Sequence, residues 1–242
     1  MSFYQKIAQN KADHKKMLGV LIDPDKYTNE MLNTVMDYAQ QTSVSFFLIG
    51  GSLVSKNVND TIHYIKEKSG LPVFLFPGNL LQLCDQADGI LLLSLISGRN
   101  PEYLIGNHIH AAPFLGKSGM EIISTGYMLI DTGKRTSVEY ISNTFPIPNN
   151  KPDIAVATAM AGEMLGMKLI YLEGGSGAQE PVNAKIISEV KNNISIPLIV
   201  GGGIQTASQA SEIINAGADC IIVGNAIESN PKLLFDIAPY VS

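Results

Sequence analysis

Eight short apolar runs recur along the chain, and each ends at glycine, a small polar residue or an acid. They occupy residues 17–22, 46–49, 73–76, 90–93, 128–130, 169–172, 198–200 and 220–223. Their length and β-branched content are typical of buried parallel strands. Helix signals lie between most of them, such as Thr28 as an N-cap residue, and the pattern predicts a helix at 206–216. The pattern therefore predicts strands that alternate with helices.

This alternation fits either a doubly wound open sheet or a closed barrel with helices outside. Eight runs in 242 residues favour closure, because a (βα)8 TIM barrel has about 250 residues. We expect an irregular fifth unit, since 121–131 is extended and a Pro/Asn-rich loop follows at 146–152. That loop resembles a linker, but the strand count requires the same barrel on both sides. We therefore predict an α/β single domain over residues 1–242.

Composition narrows the class of protein further. Hydrophobic residues make up 45% of the chain and charged residues 16%, which suits a large buried core. The two cysteines, Cys84 and Cys220, provide no disulfide scaffold. A net charge of −5 argues against duplex nucleic acid as a partner. Neither a membrane-spanning run nor a signal peptide is recognisable, so we expect a cytoplasmic protein with no transmembrane segment.

Glycine-rich turns follow the last two predicted strands. Gly201, Gly202 and Gly203 come after the seventh, and Gly224 and Asn225 after the eighth. Glycine permits close backbone approach, and these two loops form the usual phosphate site of a barrel. The glycines can also be explained as tight turns alone. Because both motifs occur in the right order, we predict phosphate binding.

Acidic residues end two other strands. Glu173 precedes a second glycine-rich loop, where a carboxylate can remove a proton from a substrate hydroxyl, or can simply pair with a basic side chain. Asp23 follows the first strand, and Ser52 follows the second. One carboxylate and one hydroxyl suit Mg2+ that is shared with substrate phosphates. For Asp25 we prefer a structural role in an Asx turn.

Histidines contribute little to the predicted site. No zinc motif is visible, and we assign His14, His63, His108 and His110 to solvent or loop contacts. The region 101–112 has the character of a helix. Apolar residues of the third to fifth units can line a groove for a hydrocarbon or can belong to the core. They are Leu95, Ile96, Tyr103, Ile109, Met120 and Tyr127.

Taken together, these motifs resemble those of the geranylgeranylglyceryl phosphate synthase family, over nearly the whole chain. They are Asp-Pro-Asp-Lys at 23–26, Gly-Gly-Ser at 50–52, Tyr-Leu-Glu-Gly-Gly-Ser-Gly at 171–177, Gly202 and Gly203, and Gly224 and Asn225. The motif at 171–177 is the specific one, since many phosphate-binding barrels share the last two. The resemblance implies a prenyltransferase of ether-lipid synthesis. Such an enzyme joins geranylgeranyl diphosphate to the sn-3 hydroxyl of sn-glycerol 1-phosphate, uses Mg2+ and releases diphosphate.

The resemblance also implies a role for each matched residue. Asp23 and Ser52 match the Mg2+ positions, and Glu173 matches the general base. The positions for glycerol phosphate are Tyr171, Leu172, Glu173, Gly174, Gly175, Ser176, Gly177, Gly202, Gly203, Gly224 and Asn225. Family members often assemble, so a homo-oligomer is implied. An aromatic residue at Tyr103 indicates a C20 donor over a longer one.

Other functions remain open at this stage. One is a heptaprenylglyceryl phosphate synthase with a longer donor. A second is an isomerase or lyase that acts on a small sugar or heterocycle phosphate. This function leaves Asp23, Ser52 and Glu173 without a role. A third is a non-catalytic barrel that binds glycerol phosphate and acts through RNA or a protein partner, against which the acidic balance weighs.

Overall fold

The computed structural model describes residues 1–241 and contains a closed barrel of eight parallel strands in sequential order. The strands are β1 Met17–Ile22, β2 Val44–Ile49, β3 Val73–Leu75, β4 Gly89–Leu95, β5 Glu121–Leu129, β6 Leu169–Glu173, β7 Leu198–Gly201 and β8 Cys220–Val223. β1 pairs with both β2 and β8, which closes the barrel. The predicted (βα)8 fold is confirmed.

Helices cover the outside of the barrel, and one helix precedes the first strand. They are α1 Phe3–Ala12, α2 Asn29–Gln40, α3 Val58–Ser69, α4 Asn107–Ser118, α5 Ser137–Ser142, α6 Pro152–Met164, α7 Ala184–Asn193, α8 Ala207–Asn215, α9 Asn225–Ser229 and α10 Leu233–Ile237. A π-helix, Glu102–Gly106, leads directly into α4. Short 3-10 helices occupy Leu80–Gln82 and Ala238–Tyr240.

Local signals explain several helix boundaries. The hydroxyls of Thr28 and Thr206 cap α2 and α8, and Gln209 completes a capping box at Thr206. A side-chain oxygen at this position satisfies a backbone N–H group that the first helical turn leaves without a partner. Pro152 starts α6, where its missing N–H group costs no hydrogen bond.

The fifth unit is irregular as we predicted, with an extended segment that begins at Glu121 and a loop at 146–152. Its strand is not the short run at 128–130 but the nine-residue β5, which pairs with β4 at seven positions. Polar residues such as Ser124 and Thr125 conceal this strand from an apolar pattern. The irregularity comes after β5, where α5 has six residues and Ile130 forms an isolated bridge to Ile147. The segment 146–152 leads from that bridge into α6 within the same barrel.

Two apolar clusters divide the core. One lies between the strands and the surrounding helices, and it includes Leu172, Val200 and Ile221. The other fills the barrel interior and includes Phe46, Phe74, Tyr127 and Tyr171. Alternate residues of each strand point to opposite faces, so each strand contributes to both clusters. The upper end of the interior cluster forms the floor of the functional site.

α1 closes the lower end of the barrel. Its Phe3 ring lies 4.9 Å from the ring of Phe46 and 4.4 Å from that of Phe74, measured between centroids. The Glu121 carboxylate, at the start of β5, accepts hydrogen bonds from the backbone N–H groups of Phe3 and Tyr4. Since α1 covers the amino-terminal ends of the strands, access to the interior is from the carboxyl ends.

Candidate active site

A cavity of about 650 Å3 opens at the carboxyl ends of the strands, where barrel enzymes carry their chemistry. Its walls differ in character. The loops after β6, β7 and β8 form a polar wall that includes Ser176, Gly203 and Asn225, whereas β4, the π-helix and α4 form an apolar wall. The cavity can therefore accommodate a molecule with a polar head and a long apolar part.

Glu173 lies between these walls, at the last position of β6. Its side chain is buried, and its Oε1 accepts a hydrogen bond of 2.6 Å from the Gly175 N–H group. Burial raises the pKa of Glu173 to about 7, and interactions with Gly175 and with the hydroxyls of Tyr171 and Tyr127 oppose that rise. Desolvation disfavours the charged form of a carboxyl group, which explains the direction. A carboxyl group with a pKa near neutrality is suited to proton transfer.

Two tyrosines surround Glu173 inside the barrel. The rings of Tyr127 and Tyr171 lie 5.6 Å apart, and burial raises the pKa of both hydroxyls, so they stay protonated. The Tyr171 hydroxyl has no hydrogen-bond partner of normal geometry among the described residues. A Cβ atom added at Gly201 would lie 2.2 Å from this hydroxyl, so glycine is required there.

Gly202 packs closely against the carboxylate of Glu173. Its φ is +82°, and an added Cβ atom would lie 2.4 Å from Glu173 Oε1 and 2.7 Å from the Gly175 nitrogen. Glycine adopts positive φ without the steric cost that other residues incur. The absence of a side chain at Gly202 therefore lets the loop after β7 pack directly against Glu173 and the loop after β6.

The loop after β6 is tied to the loop after β8. Asn225 Oδ1 accepts hydrogen bonds from Ser176 Oγ at 3.0 Å and from the Gly177 N–H group at 3.3 Å. The Asn225 amide group faces Glu228, with its nitrogen 3.4 Å from Oε1. These contacts fix the polar wall as one unit.

On the opposite side of the mouth, Asp23 and Ser52 both line the cavity. The Asp23 carboxylate accepts a hydrogen bond from the Asp25 N–H group and so forms an Asx turn. Asp25, for which we predicted an Asx turn, does not form it: its role is structural, but its carboxylate accepts hydrogen bonds from the Ser55 and Lys56 N–H groups and connects the first two loops. Its pKa is lowered, chiefly by these two hydrogen bonds.

Most of the predicted site residues meet at this cavity. Three predicted site residues do not line it: Leu172, Gly174 and Gly175. Leu172 is buried between sheet and helices, because strand alternation points Tyr171 and Glu173 inward and Leu172 outward. The prediction that Leu172 contacts glycerol phosphate is therefore wrong for its side chain. Gly174 and Gly175 shape the loop beside Gly202.

The apolar candidates divide in the same way. Leu95, Tyr103 and Tyr127 line the cavity, as a groove for a hydrocarbon requires. Ile96 faces α6 in a separate outer groove, Ile109 is exposed on α4, and Met120 is buried just before β5. The helical period places Ile109 away from the cavity, whereas Ile96 and Met120 lie just outside the ends of β4 and β5.

His108 is a cavity residue that sequence reasoning missed. We assigned all four histidines to solvent or loops, but His108 is half-buried, lines the cavity and lies 3.1 Å from Ser94 Oγ through Nε2. Burial lowers its pKa, so the ring is neutral near pH 7. The α-helical period gave no signal, since His108 follows the cavity residue Tyr103 by five residues, a spacing that matches one turn of the π-helix and not of an α-helix.

Comparison with known proteins connects this geometry to a family. Residues 10–238 match the PcrB family. The chain belongs to this family. The geranylgeranylglyceryl phosphate synthase of Spirosoma linguale is 50% identical over 232 residues, which cover 96% of this chain and 93% of that protein. The enzyme of the same name from Chitinophaga pinensis is 48% identical, with 98% and 95% covered. The family resemblance carried by the motifs is thus confirmed.

A solved structure of the family superimposes closely on this fold. It is the crystal structure of (S)-3-O-geranylgeranylglyceryl phosphate synthase from Thermoplasma acidophilum, in complex with its substrate sn-glycerol-1-phosphate. The TM-score is 0.94 at 29% identity, and the match covers 100% of this chain and 98% of that one. Among residues 1–241, no helix combines the length and apolar character that crossing a membrane demands.

Proposed function

We propose that the chain joins geranylgeranyl diphosphate to the sn-3 hydroxyl of sn-glycerol 1-phosphate and releases diphosphate, in a Mg2+-dependent prenyl transfer. Relatives at 48–50% identity bear the name of this activity, and the related crystal structure holds the acceptor substrate. The observation that carries the proposal is the position of Glu173. Its carboxyl group lies between a wall of glycine-rich loops and an apolar wall, in one cavity.

Glycerol phosphate is held by the polar wall in this mechanism. The backbone of the loops at Gly202, Gly203 and Gly224 accommodates the phosphate, because glycine lets backbone N–H groups approach an anion closely. Ser176 and Asn225 are available to the glycerol hydroxyls. The sn-3 hydroxyl then faces Glu173, which removes its proton as the new C–O bond forms to the allylic carbon of the donor. The bond between that carbon and the diphosphate oxygen breaks, and diphosphate leaves with the electron pair.

Holding both substrates in one cavity supplies the orientation that a reaction between two molecules otherwise lacks. The closed lower end and the buried tyrosines keep water away from Glu173. A water molecule in the place of the glycerol hydroxyl would hydrolyse the donor, so exclusion of water protects the reaction. Glu173 must be ionised to act, and its pKa of about 7 leaves a substantial ionised fraction at neutral pH.

Asp23 and Ser52 would hold Mg2+ in this proposal. Their hard oxygen atoms fit this cation, and both side chains line the mouth of the cavity. The Asp23 carboxylate is close to Gly51, the residue before Ser52: a Cβ atom built on Gly51 would lie 3.1 Å from it. Mg2+ commonly takes one or two protein ligands and completes its coordination with phosphate and water. When bound, it would neutralise charge on the leaving diphosphate.

For the donor, the cavity offers Leu92, Leu95, Ala111 and Tyr103. Tyr103 projects from the π-helix and is partly buried, and burial raises its pKa. A bulky ring at this position restricts the length of the apolar space, which favours a C20 donor over a C35 donor. A heptaprenyl donor is therefore the second candidate, and it requires Tyr103 to move.

We place this reaction in the cytoplasm, since both cysteines are free. We also propose that the chain forms a homo-oligomer through an apolar outer surface, which we call the α6 surface. It comprises Leu104 on the π-helix and Ile154, Ala157, Ala161 and Leu165 on and after α6. Leu165 is 78% exposed, and contiguous apolar surface of this kind marks interaction sites.

The deciding experiment measures transfer of radiolabelled glycerol phosphate into an organic phase. We expect transfer from geranylgeranyl diphosphate to the sn-1 enantiomer with Mg2+, and none to the sn-3 enantiomer or in EDTA. Donors from C15 to C35 measured in parallel define the preferred length. If no donor gives extractable label while glycerol phosphate still binds, the proposed transfer is wrong.

A further inference from the structure

Lys26 is the sole Lys or Arg side chain among the described residues that line the cavity. The other charged side chains of that lining are the carboxylates of Asp23, Glu173 and Glu228. Under the proposed function, this acidic cavity must admit a phosphomonoester and a diphosphate. Backbone N–H groups of the glycine loops serve the phosphomonoester. The diphosphate carries more negative charge and needs cations.

Lys26 bridges two carboxylates at the mouth. Its Nζ lies 3.6 Å from Asp23 Oδ2 and 3.5 Å from Glu228 Oε1, and 38% of the side chain is exposed. Both distances are longer than the 2.7–2.9 Å or so of a strong charge-assisted hydrogen bond. Exposed ion pairs of this kind contribute little to stability. The ammonium group can therefore move to another anion at low cost.

The surroundings of Lys26 remain acidic even with this bridge. Among residues 1–241 the buried Tyr27 hydroxyl has no hydrogen-bond partner, and burial raises its pKa, with the charges of Glu228 and Asp23 adding to the rise. Two carboxylates thus share one ammonium group. A cation already in place beside Asp23 lowers the repulsion that an arriving diphosphate would otherwise meet.

We propose that Lys26 is a diphosphate-binding residue that leaves Asp23 and Glu228 when the donor arrives. The assignment rests on the proposed function for the identity of the donor. In the free protein, Lys26 neutralises Asp23. In the complex, its Nζ donates hydrogen bonds to diphosphate oxygens, and the Asp23 carboxylate becomes free for Mg2+.

The geometry favours the donor over the acceptor as the ligand of Lys26. Lys26 contacts Asp23 directly, on the side where the leaving group must meet its metal. It reaches the glycerol-phosphate wall only through Glu228, which faces Asn225. A charge-removing substitution should therefore act on diphosphate binding and leave glycerol-phosphate binding nearly intact.

The test is isothermal titration calorimetry of the full chain with two probes, inorganic diphosphate with Mg2+ and sn-glycerol 1-phosphate. Lys26→Met keeps the aliphatic stem and removes the charge. We expect it to raise the Kd for Mg2+-diphosphate by roughly 10- to 100-fold, the scale of hydrogen bonds to charged groups. The Kd for glycerol phosphate should change by less than about threefold, on the scale of an exposed charge. Lys26→Arg should recover most of the diphosphate affinity.

Glu228→Gln is the matched control, because it breaks the same bridge and leaves the ammonium group. We expect it to bind Mg2+-diphosphate at least as tightly as the wild type. An unchanged Kd in Lys26→Met, an equal weakening for both probes, or an equal weakening in Glu228→Gln would each overturn the proposal. These titrations require no prenyl transfer. Loss of diphosphate binding in Lys26→Met alongside an inactive wild type would mean that Lys26 is assigned correctly and the proposed reaction is wrong.

Discussion

At the residue scale, the chemistry depends on the protonation of Glu173. A general base works only when ionised, so kcat/KM should rise with pH through about 7, the pKa of this carboxyl group, and level off above it. Glu173→Gln cannot accept the proton, and we expect turnover to fall by about 10²-fold or more and to lose this pH dependence. Steady-state kinetics between pH 5 and 9 measure both effects. Near-normal turnover in the variant would remove Glu173 from the role.

The same pKa shift has a consequence for stability that requires no substrate. Folding raises the pKa of Glu173 from its ordinary 4.5, so the folded state binds the proton more tightly than the unfolded state. This tighter proton binding contributes on the order of 3 kcal/mol to the free energy of unfolding. The contribution is complete below about pH 4.5 and is lost as pH rises through 7. Thermal unfolding of the Glu173→Gln variant should lack this loss. The melting temperature of the variant minus that of the wild type should therefore increase from pH 5 to pH 8.

Residue type and order were sufficient to predict much of the site. Acids, a hydroxyl and glycines at strand ends indicated a phosphate cavity with a base, and Asp23, Ser52 and Glu173 do line one cavity. Two features escaped that reasoning. The inward or outward direction of a side chain depends on the register of its strand, and for this reason the prediction placed Leu172 in the site although it points outward. Partial burial of a helix face depends on tertiary packing, which concealed the place of His108.

At the scale of elements, the strands were predictable where both faces are apolar. For β5 the apolar run at 128–130 marked only the end of the strand, because its first half carries Glu121, Ser124 and Thr125, and the extended character of 121–131 indicated the rest. The helix before β1 was missed altogether. α1 buries only Phe3 and Ile7, so its sequence gives a weak periodic signal, and contact with the barrel floor stabilises it.

α1 offers a test of how far the two ends of the barrel act independently. Phe3→Ala removes a ring packed on Phe46 and Phe74, and we expect the free energy of unfolding to fall by about 3 kcal/mol. Urea unfolding measures this loss. Turnover per folded molecule should stay close to that of the wild type, because the cavity lies at the opposite end. Lys6→Ala is the control, since Lys6 is exposed on the same helix and its removal should change neither quantity. A large loss of turnover in folded Phe3→Ala would show that the floor and the cavity are coupled.

At the scale of the whole molecule, the α6 surface and the cavity lie on different parts of the barrel and share no lining residue among those that the structure describes. Leu165 and Ile154 lie on the outer side of the barrel, away from Glu173, and together with Leu104 they line the outer groove. Burying this surface against a second copy would remove apolar area from water, which drives association. Leu165→Glu places a charge there, and desolvating that charge opposes association. We expect the variant to shift toward the monomer in sedimentation velocity at micromolar concentration.

The exposed Tyr140, at 87%, supplies the matched control, because it lies on α5 and outside the α6 surface. Tyr140→Glu should leave the sedimentation profile of the wild type unchanged. Equal profiles for Leu165→Glu and the wild type would assign the association to another surface, and a monomeric wild type would contradict the oligomer itself. Prenyl transfer should persist in the monomer, since every residue that we place in the site belongs to one chain. Loss of activity on dissociation would instead mean that assembly holds the loops of the mouth in place.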